Sequence, residues 1–206
     1  MIVSQSIESI RQASELIGRG GVIAFRTDTF YGLGADPFNQ DAVRRIKQLK
    51  GREDSKPILI VISEYDQVDR LMASISPAFG LLAKTFWPAP LTLIGEARPE
   101  LPPEITAGTK TVGVRLPNDD RVRLLVRTCG GALTATSANP SHAAPATTAL
   151  QVREYFGETI DLIVDDGISQ TDLPSTVVDV SGKEPKLIRE GVISWSEIKL
   201  ALAGID

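Results

Sequence analysis

The chain has 206 residues, of which 42% are hydrophobic and 23% charged, and its formal net charge is −4. This composition excludes a disordered or fibrous protein, and the length is sufficient for one large domain or two small ones. The single cysteine excludes an intrachain disulfide, and the acidic balance argues against a surface devoted to nucleic acid. The N-terminus does not look like a signal peptide, and the longest apolar run, 57–62, is far below the roughly 20 residues of a membrane span. We therefore expect a cytoplasmic protein that does not contact the membrane.

Apolar residues alternate between helical and strand spacing along the chain, which predicts an α/β protein. The predicted strands are 22–25, 58–62, 91–94, 112–116, 132–136, 162–164, 177–180 and 187–189. The predicted helices begin near Ile7, Val43, Ser63, Ser76, Asn118, Thr147 and Ser194, and Gly51 is placed to end the second of them. The proline-rich stretch 97–103 is the best linker candidate, but strands flank it closely. We predict a single domain over residues 1–206, with a twisted mixed sheet flanked by helices.

Two polar segments adjoin predicted strands, where open α/β sheets bind their ligands. The segment 27–34 offers two threonine hydroxyls, a tyrosine and two glycines, which suit a small polar ligand. Its alternative is a simple turn in which Asp28 bonds its own backbone. In the segment 134–140, Ser137 and Asn139 suit phosphate or the water shell of a cation, and ordinary turn chemistry is again the alternative.

Basic residues supply the other candidate sites. Lys50 lies in the last turn of a helix and Arg52 follows two residues later, so both can face a polyphosphate. A solvated basic helix face that complements the helix dipole is the alternative. Arg115 lies on a predicted buried strand and therefore needs an anionic partner. That partner is either a structural carboxylate or an acidic ligand, for which Gly113 leaves room.

The sequence lacks the residue patterns of several common catalytic and metal sites. It has no phosphate-binding Gly-x-x-x-x-Gly-Lys-Ser/Thr loop and no cluster of cysteine and histidine that would hold structural zinc. The one histidine, His142, lies in a loop of small residues and is interpreted as a solvated side chain. The surroundings of Ser137 also lack the glycine pattern of a hydrolase nucleophile.

Seven motifs occur in a fixed order between about residue 20 and residue 191. Phe25–Gly34 is similar to the pattern Pro-Thr-Asp/Glu-Thr-x-Tyr-Gly-Leu-Gly, Lys50–Arg52 to Lys-x-Arg and Ser137–Asn139 to Ser-x-Asn. The others are Phe86–Thr92, Val112–Arg115, Ser175–Asp179 and Ile188–Gly191. Together they resemble the YrdC/Sua5 family of threonylcarbamoyl-AMP synthases. The chain resembles the short form of that family, and we therefore expect it to lack the additional C-terminal domain of the long form.

This resemblance implies a YrdC-like (DHBP synthase-like) fold with a concave basic cavity. It implies a nucleotidyltransferase that converts L-threonine, bicarbonate and ATP to threonylcarbamoyl-AMP and diphosphate. The product would serve t6A formation at adenosine 37 of tRNAs that read ANN codons, with partner proteins of the TsaD/TsaB/TsaE type and weak tRNA binding at most. Mg²⁺ would accompany the ATP phosphates, with no metal ligand from the protein. An RNA-binding module and a paralogue that activates another small acid are the alternatives.

The resemblance also implies roles for individual residues. The threonine site would comprise Thr27, Tyr31, Arg115, Ala135 and Ser175, and the catalytic residues would be Lys50 and Arg52. The ATP site would comprise Lys50, Arg52, Lys56, Ser137, Asn139, Pro145 and Arg189. The sequence departs from the family pattern at Arg26, Glu53 and Ala89, where proline, proline and glycine are usual. We expect Arg26 to add charge near the site and Glu53 to place an acid beside the phosphate loop.

Overall fold

The computed structural model of the chain describes residues 1–51, 56–169 and 171–203. It confirms the α/β class, but its strands form two mixed sheets where the sequence predicted one. The strands, numbered β1 to β11, are Ile2–Ser4, Ile23–Arg26, Tyr31–Gly34, Ile60–Ile62, Leu91–Glu96, Thr111–Arg115, Ala132–Thr134, Thr136–Ser137, Leu162–Asp165, Thr176–Asp179 and Lys186–Arg189. One sheet has five strands in the order β1-β9-β2-β3-β8, and the other has six in the order β11-β10-β5-β6-β4-β7.

The predicted helix starts at Ser76 and Ser194 are confirmed, since each serine side chain accepts the N–H three residues on. Two predicted caps are wrong by one residue: Asp119 caps in place of Asn118, and Thr148 in place of Thr147. The helices are Ile7–Gly18, Gln40–Lys50, Pro77–Phe86, Pro103–Thr106, Asp120–Thr128, Ala149–Phe156 and Trp195–Leu202, numbered α1 to α7, and the predicted helix near Ser63 is a 3-10 helix at Tyr65–Arg70.

The two sheets are joined where one predicted strand, 132–136, is divided. β7 pairs with β4 in the six-stranded sheet, whereas β8 pairs with β3 in the five-stranded sheet. Between them, Ala135 donates its N–H to the carbonyl of Leu59 at 2.8 Å, at the start of β4. The chain therefore passes from one sheet to the other at Ala135, which places the strand ends of both sheets around the same space.

The hydrophobic core extends across both sheets. Its main cluster contains Leu33 from the five-stranded sheet and Ile60, Leu91 and Val114 from the six-stranded sheet. A second cluster packs α1 and α5 against β2 and β9. Among the residues that the structure describes, no helix is long and apolar enough to cross a bilayer.

Candidate functional site

A cavity of about 170 Å³ lies where the two sheets meet. The five-stranded sheet contributes Tyr31 and Gly32, and the six-stranded sheet contributes Arg115 and Thr92. Eight of the residues named from the sequence line it: Thr27, Tyr31, Arg115, Ala135, Ser137, Pro145, Ser175 and Arg189. The topology thus brings together side chains that are up to 162 positions apart in the sequence.

Arg115 enters the cavity from the C-terminal end of β6 and is 6% exposed. Its Nη1 donates to Thr29 Oγ1 at 3.2 Å, and its Nη2 donates to Thr27 Oγ1 at 3.3 Å. Nη2 also lies 3.2 Å from the carboxylate of Asp28. The guanidinium thus has a structural carboxylate partner, which was one of its two interpretations from the sequence. It also lines the cavity, and its binding of an acidic ligand stays a prediction.

The turn 27–30, which joins β2 to β3, is built to receive that guanidinium. Thr27 donates its hydroxyl hydrogen to the carbonyl of Phe30 at 2.8 Å. Its oxygen can therefore accept from both Arg115 and the N–H of Thr29, the latter at 3.1 Å. The carboxylate of Asp28 accepts the N–H of Asn118 at 3.4 Å. This contact replaces the local Asx turn that was the alternative interpretation of Asp28.

Arg189 lies at the end of β11 and binds the loop before β10. Its Nε and Nη2 donate to the carbonyl of Ser175 at 3.1 and 2.9 Å, and Nη2 also donates to the hydroxyl of Ser175 at 3.1 Å. That hydroxyl lies 3.1 Å from Thr92 Oγ1, which is buried. Burial and the nearby positive charge of Arg115 lower the pKa of Arg189. Two arginines therefore approach the same cavity, and an anion between them would relieve their repulsion.

Tyr31 lines the cavity, but its hydroxyl is engaged elsewhere. It lies 3.1 Å from the carboxylate of Asp165, the last residue of β9, and 2.7 Å from the carbonyl of Gly167 in the loop that follows. Burial and the charge of Asp165 raise the pKa of Tyr31. The phenol is therefore a neutral donor that fixes β3 against this loop, and the hydroxyl is not available to a ligand in the cavity.

Lys50 and Asn139 are buried behind the cavity wall. The Lys50 ammonium donates to the backbone carbonyls of Ser137 and Asn139, the latter at 2.7 Å. The Asn139 amide donates to the carbonyls of Pro140 and Ala143, each at 2.8 Å. Both side chains therefore stabilise the loop that follows β8, and neither lines the cavity in the described structure.

The remaining basic residues of the predicted phosphate site divide into two groups. Arg52 and the departure Glu53 lie outside the described residues. Lys56 is described and partly buried, but it is not among the residues that line the cavity. The basic cavity stays a prediction, and the cations that line the cavity within the described chain are Arg115 and Arg189.

Two expectations from the sequence are corrected by packing. A Cβ atom on Gly113 would lie 2.5 Å from the Leu59 side chain, so this glycine makes room for Leu59 and not for a ligand. Arg26 does not add free charge near the site. Its buried guanidinium is neutralised by Asp119 at 2.8 Å and Asp166 at 2.5 Å. Burial alone would lower the pKa of Arg26, but these carboxylates raise it overall.

Four further lining residues belong to the segments 27–34 and 134–140, which the sequence singled out as wholes: Thr29, Phe30, Gly32 and Thr136. The site roles assigned from the sequence did not include Thr92, Pro174, Leu59, Ile60 and Val61, which also line the cavity. Thr92 had a readable signal, because it is a polar residue on a strand that is otherwise apolar up to Ile94. Leu59 had none, since only the crossing of the chain at Ala135 turns it towards the cavity.

The fold and the site together define an α/β protein with a small-ligand cavity between two mixed sheets, approached by two arginines. The family model Sua5_yciO_yrdC, described as "Telomere recombination", matches residues 15–191. The chain belongs to this family.

Relatives of known name carry the comparison further. The threonylcarbamoyl-AMP synthase of Pyrococcus abyssi is 37% identical over 196 residues, which are 95% of this chain and 58% of that protein. The synthase of Thiobacillus denitrificans is 40% identical over 163 residues, which are 79% of this chain and 86% of that protein. The chain thus spans somewhat more than half of the longer relative.

Solved structures agree with the sequence relatives. The crystal structure of P. abyssi Sua5 complexed with L-threonine superposes with a TM-score of 0.93 at 36% identity, covering 98% of this chain and 60% of that one. Escherichia coli YciO gives a TM-score of 0.82 at 24% identity, covering 94% of this chain and 96% of that one. The second likeness is evidence of a shared fold alone.

Proposed function

We propose that this chain is an L-threonylcarbamoyladenylate synthase, which converts L-threonine, bicarbonate and ATP to threonylcarbamoyl-AMP and diphosphate. The observation that carries the proposal is the cavity of Arg115, Thr27 and Ser175, in a chain that superposes closely on a Sua5 protein complexed with L-threonine. The names of the curated relatives support the same reaction. The product would pass to TsaD/TsaB/TsaE-type partner proteins for t6A37 formation in ANN-decoding tRNA.

The threonine substrate would occupy the inner part of the cavity. Arg115 would pair with its carboxylate, since a guanidinium can bind both carboxylate oxygens at once. The hydroxyls of Thr27 and Ser175 and the backbone of Ala135 would complete the polar contacts. Tyr31 would support this site from β3 without using its hydroxyl, which is bound to the 165–167 loop.

The nucleotide would lie beside Ser137, Pro145 and Arg189, which all line the cavity. Arg189 would supply positive charge to its phosphates. Lys50 and Asn139 would act by holding Ser137 and the loop that follows β8. Arg52 and Lys56 would complete the contacts to the phosphates.

Magnesium would reach this site as part of the ATP complex. The residues that line the cavity in the described chain offer hydroxyls, carbonyls and guanidinium groups, but no carboxylate. This donor set fits a triphosphate whose magnesium ion is held by phosphate oxygens and water. When bound, the ion would neutralise phosphate charge.

The chemistry follows from the charges present. Bicarbonate takes up a proton and dehydrates to carbon dioxide and water. The neutral threonine amine then adds to the carbon dioxide and loses a proton, which balances the one consumed. The resulting N-carboxylate attacks the α-phosphorus of ATP. The P–O bond to the diphosphate breaks, and its electron pair leaves with diphosphate. Because the nucleophile is already an anion, the protein needs no strong base at this step. Its contribution is to hold two anionic reactants together and to place Arg115 and Arg189 beside their charge.

The decisive measurement is diphosphate release from ATP by the purified chain, with threonine and bicarbonate present or omitted in turn. We expect release only when both are present, together with a new species of the mass of threonylcarbamoyl-AMP. Diphosphate release that is the same with and without threonine would indicate that another acid is the substrate. Tight, salt-dependent RNA binding without any ATP turnover would replace the proposal with an RNA-binding role.

A further inference from the structure

The carboxylate of Asp28 lies beside Arg115 but does not line the cavity. The Asp28 side chain is 6% exposed and the Arg115 side chain is 7% exposed, so the pair is almost fully removed from water. Asp28 is not among the residues that line the cavity, whereas Arg115 is. The guanidinium therefore pairs with a fixed carboxylate of the protein and also borders the space proposed for the carboxylate of the substrate.

Different residues orient the Arg115 guanidinium and neutralise its charge. Thr27 and Thr29 accept its aligned hydrogen bonds. Asp28 Oδ1 lies 3.2 Å from Nη2 but accepts no hydrogen bond within the described chain, so the N–H does not point at it. The threonine hydroxyls consequently fix the direction of the guanidinium, and Asp28 supplies mainly its negative charge.

This arrangement has opposite effects on the empty and the occupied site. An uncompensated buried guanidinium is costly, so Asp28 stabilises the protein when no ligand is bound. A ligand carboxylate that reaches Arg115 must then share it with a carboxylate already present, and the two like charges repel across a poorly solvated space.

We propose that Asp28 is an internal counter-ion of Arg115 that stabilises the empty site and weakens its hold on the substrate carboxylate. This inference rests on the proposed function, in which Arg115 binds the carboxylate of an amino acid. In this role Asp28 sets the affinity of the site for threonine and takes no part in the reaction. Its charge keeps that affinity lower than Arg115 and the hydroxyls alone would give.

Asp28→Asn tests the inference, because it removes the charge and keeps the size of the side chain. We expect the midpoint of thermal unfolding without ligand to fall by several degrees, and the Kd for L-threonine, measured by calorimetric titration, to fall at least threefold. L-Threoninamide, which has no carboxylate, gains nothing from the substitution. Asp69→Asn is the matched control, since Asp69 is exposed in the 3-10 helix, and it changes neither the midpoint nor the Kd.

Thr29→Val provides a second, independent variant. It removes an aligned hydrogen bond and leaves the charge of Asp28, so the Kd for L-threonine rises. An unchanged or higher Kd in Asp28→Asn overturns the inference, and so does an unchanged or lower Kd in Thr29→Val. If the unaltered protein binds L-threonine and forms the adenylate, either result refutes only the role of Asp28. Failure of the unaltered protein to bind threonine refutes the proposed function along with it.

Discussion

The sequence around Lys50 suggests a residue that binds phosphate, but in the structure Lys50 stabilises the loop beside the site. Its ammonium is buried and donates to the carbonyls of Ser137 and Asn139. The carbonyl of Lys50 also accepts the N–H of Ser141 at 2.8 Å. Lys50 therefore ties the end of α2 to the loop after β8 at both its side chain and its backbone.

We predict that Lys50→Met lowers both stability and turnover. The substitution keeps the length of the side chain but removes charge-assisted hydrogen bonds, each of which contributes about 1.5–3 kcal/mol. We expect a loss of about 2–4 kcal/mol in the free energy of unfolding, measured by urea denaturation. Diphosphate release falls at least tenfold, because the loop that carries Ser137 is no longer held.

Lys84→Met is the matched control for this substitution. Lys84 is exposed on α3, where a surface change alters stability by no more than about 0.5 kcal/mol. Equal unfolding free energies for Lys50→Met and the unaltered protein would mean that the contacts to the two carbonyls do not stabilise the loop.

At the scale of elements, the segment after β11 is pressed against the loop before β10. Gly191 donates its N–H to Thr176 Oγ1 at 3.0 Å, and Val192 donates to the carbonyl of Pro174 at 3.0 Å. A Cβ atom on Gly191 would lie 2.1 Å from that same carbonyl oxygen. Only glycine permits this backbone approach, which keeps Arg189 on Ser175 at the cavity.

Gly191→Ala should therefore act on the site through the backbone. The added methyl group must push the segment away from Pro174, and Arg189 moves with it. We expect a midpoint of thermal unfolding that is several degrees lower, and a KM for ATP that rises at least tenfold. Gly182→Ala serves as control, since its Cβ would meet nothing nearer than 4.0 Å. Matching values for both variants would show that the close approach of Gly191 is not required.

The sequence predicted the elements with strong local signals and missed those that depend on distant partners. Helices with serine caps and apolar stripes were found, as were the apolar strands of both sheets apart from β1, which was missed. β3 was missed because Tyr31–Gly34 contains two glycines, and its strand character comes from pairing with β2 and β8. Gly34 is small because the ring of Phe25 fills the space beside it, where a Cβ atom would lie only 2.7 Å from that ring.

In the site, too, the residues with a local signal were predicted and the contacts with distant residues were not. The order of the family motifs predicted that Arg115, Ser175 and Arg189 share one cavity. Local spacing alone left the role of Arg115 open between a ligand site and a structural ion pair. The partner of Arg115 could not be read from the sequence, because Asp28 reaches it only after β2 and β3 form a hairpin. The neutralisation of Arg26 by Asp119 and Asp166 likewise depends on residues 93 and 140 positions away.

At the scale of the whole molecule, the cavity lies on the boundary between two sheets that share one core. Leu33 of the five-stranded sheet and Val114 of the six-stranded sheet belong to the same buried cluster. The chain also crosses between the sheets at Ala135, which itself lines the cavity. A ligand bound there contacts both sheets, so its binding energy should stabilise them together.

We predict a single cooperative unfolding transition that ligands shift as one unit. In differential scanning calorimetry, the calorimetric and van't Hoff enthalpies should agree, which is the test for one cooperative unit. L-Threonine at about 100 times its Kd adds about 2.7 kcal/mol, which corresponds to a rise of roughly 5–10 °C for a chain of this size. Arg115→Gln should abolish the threonine-dependent rise and keep the single transition. Because a shared core couples the stability of the elements that build it, two separate transitions, of which threonine moves only one, would contradict this prediction.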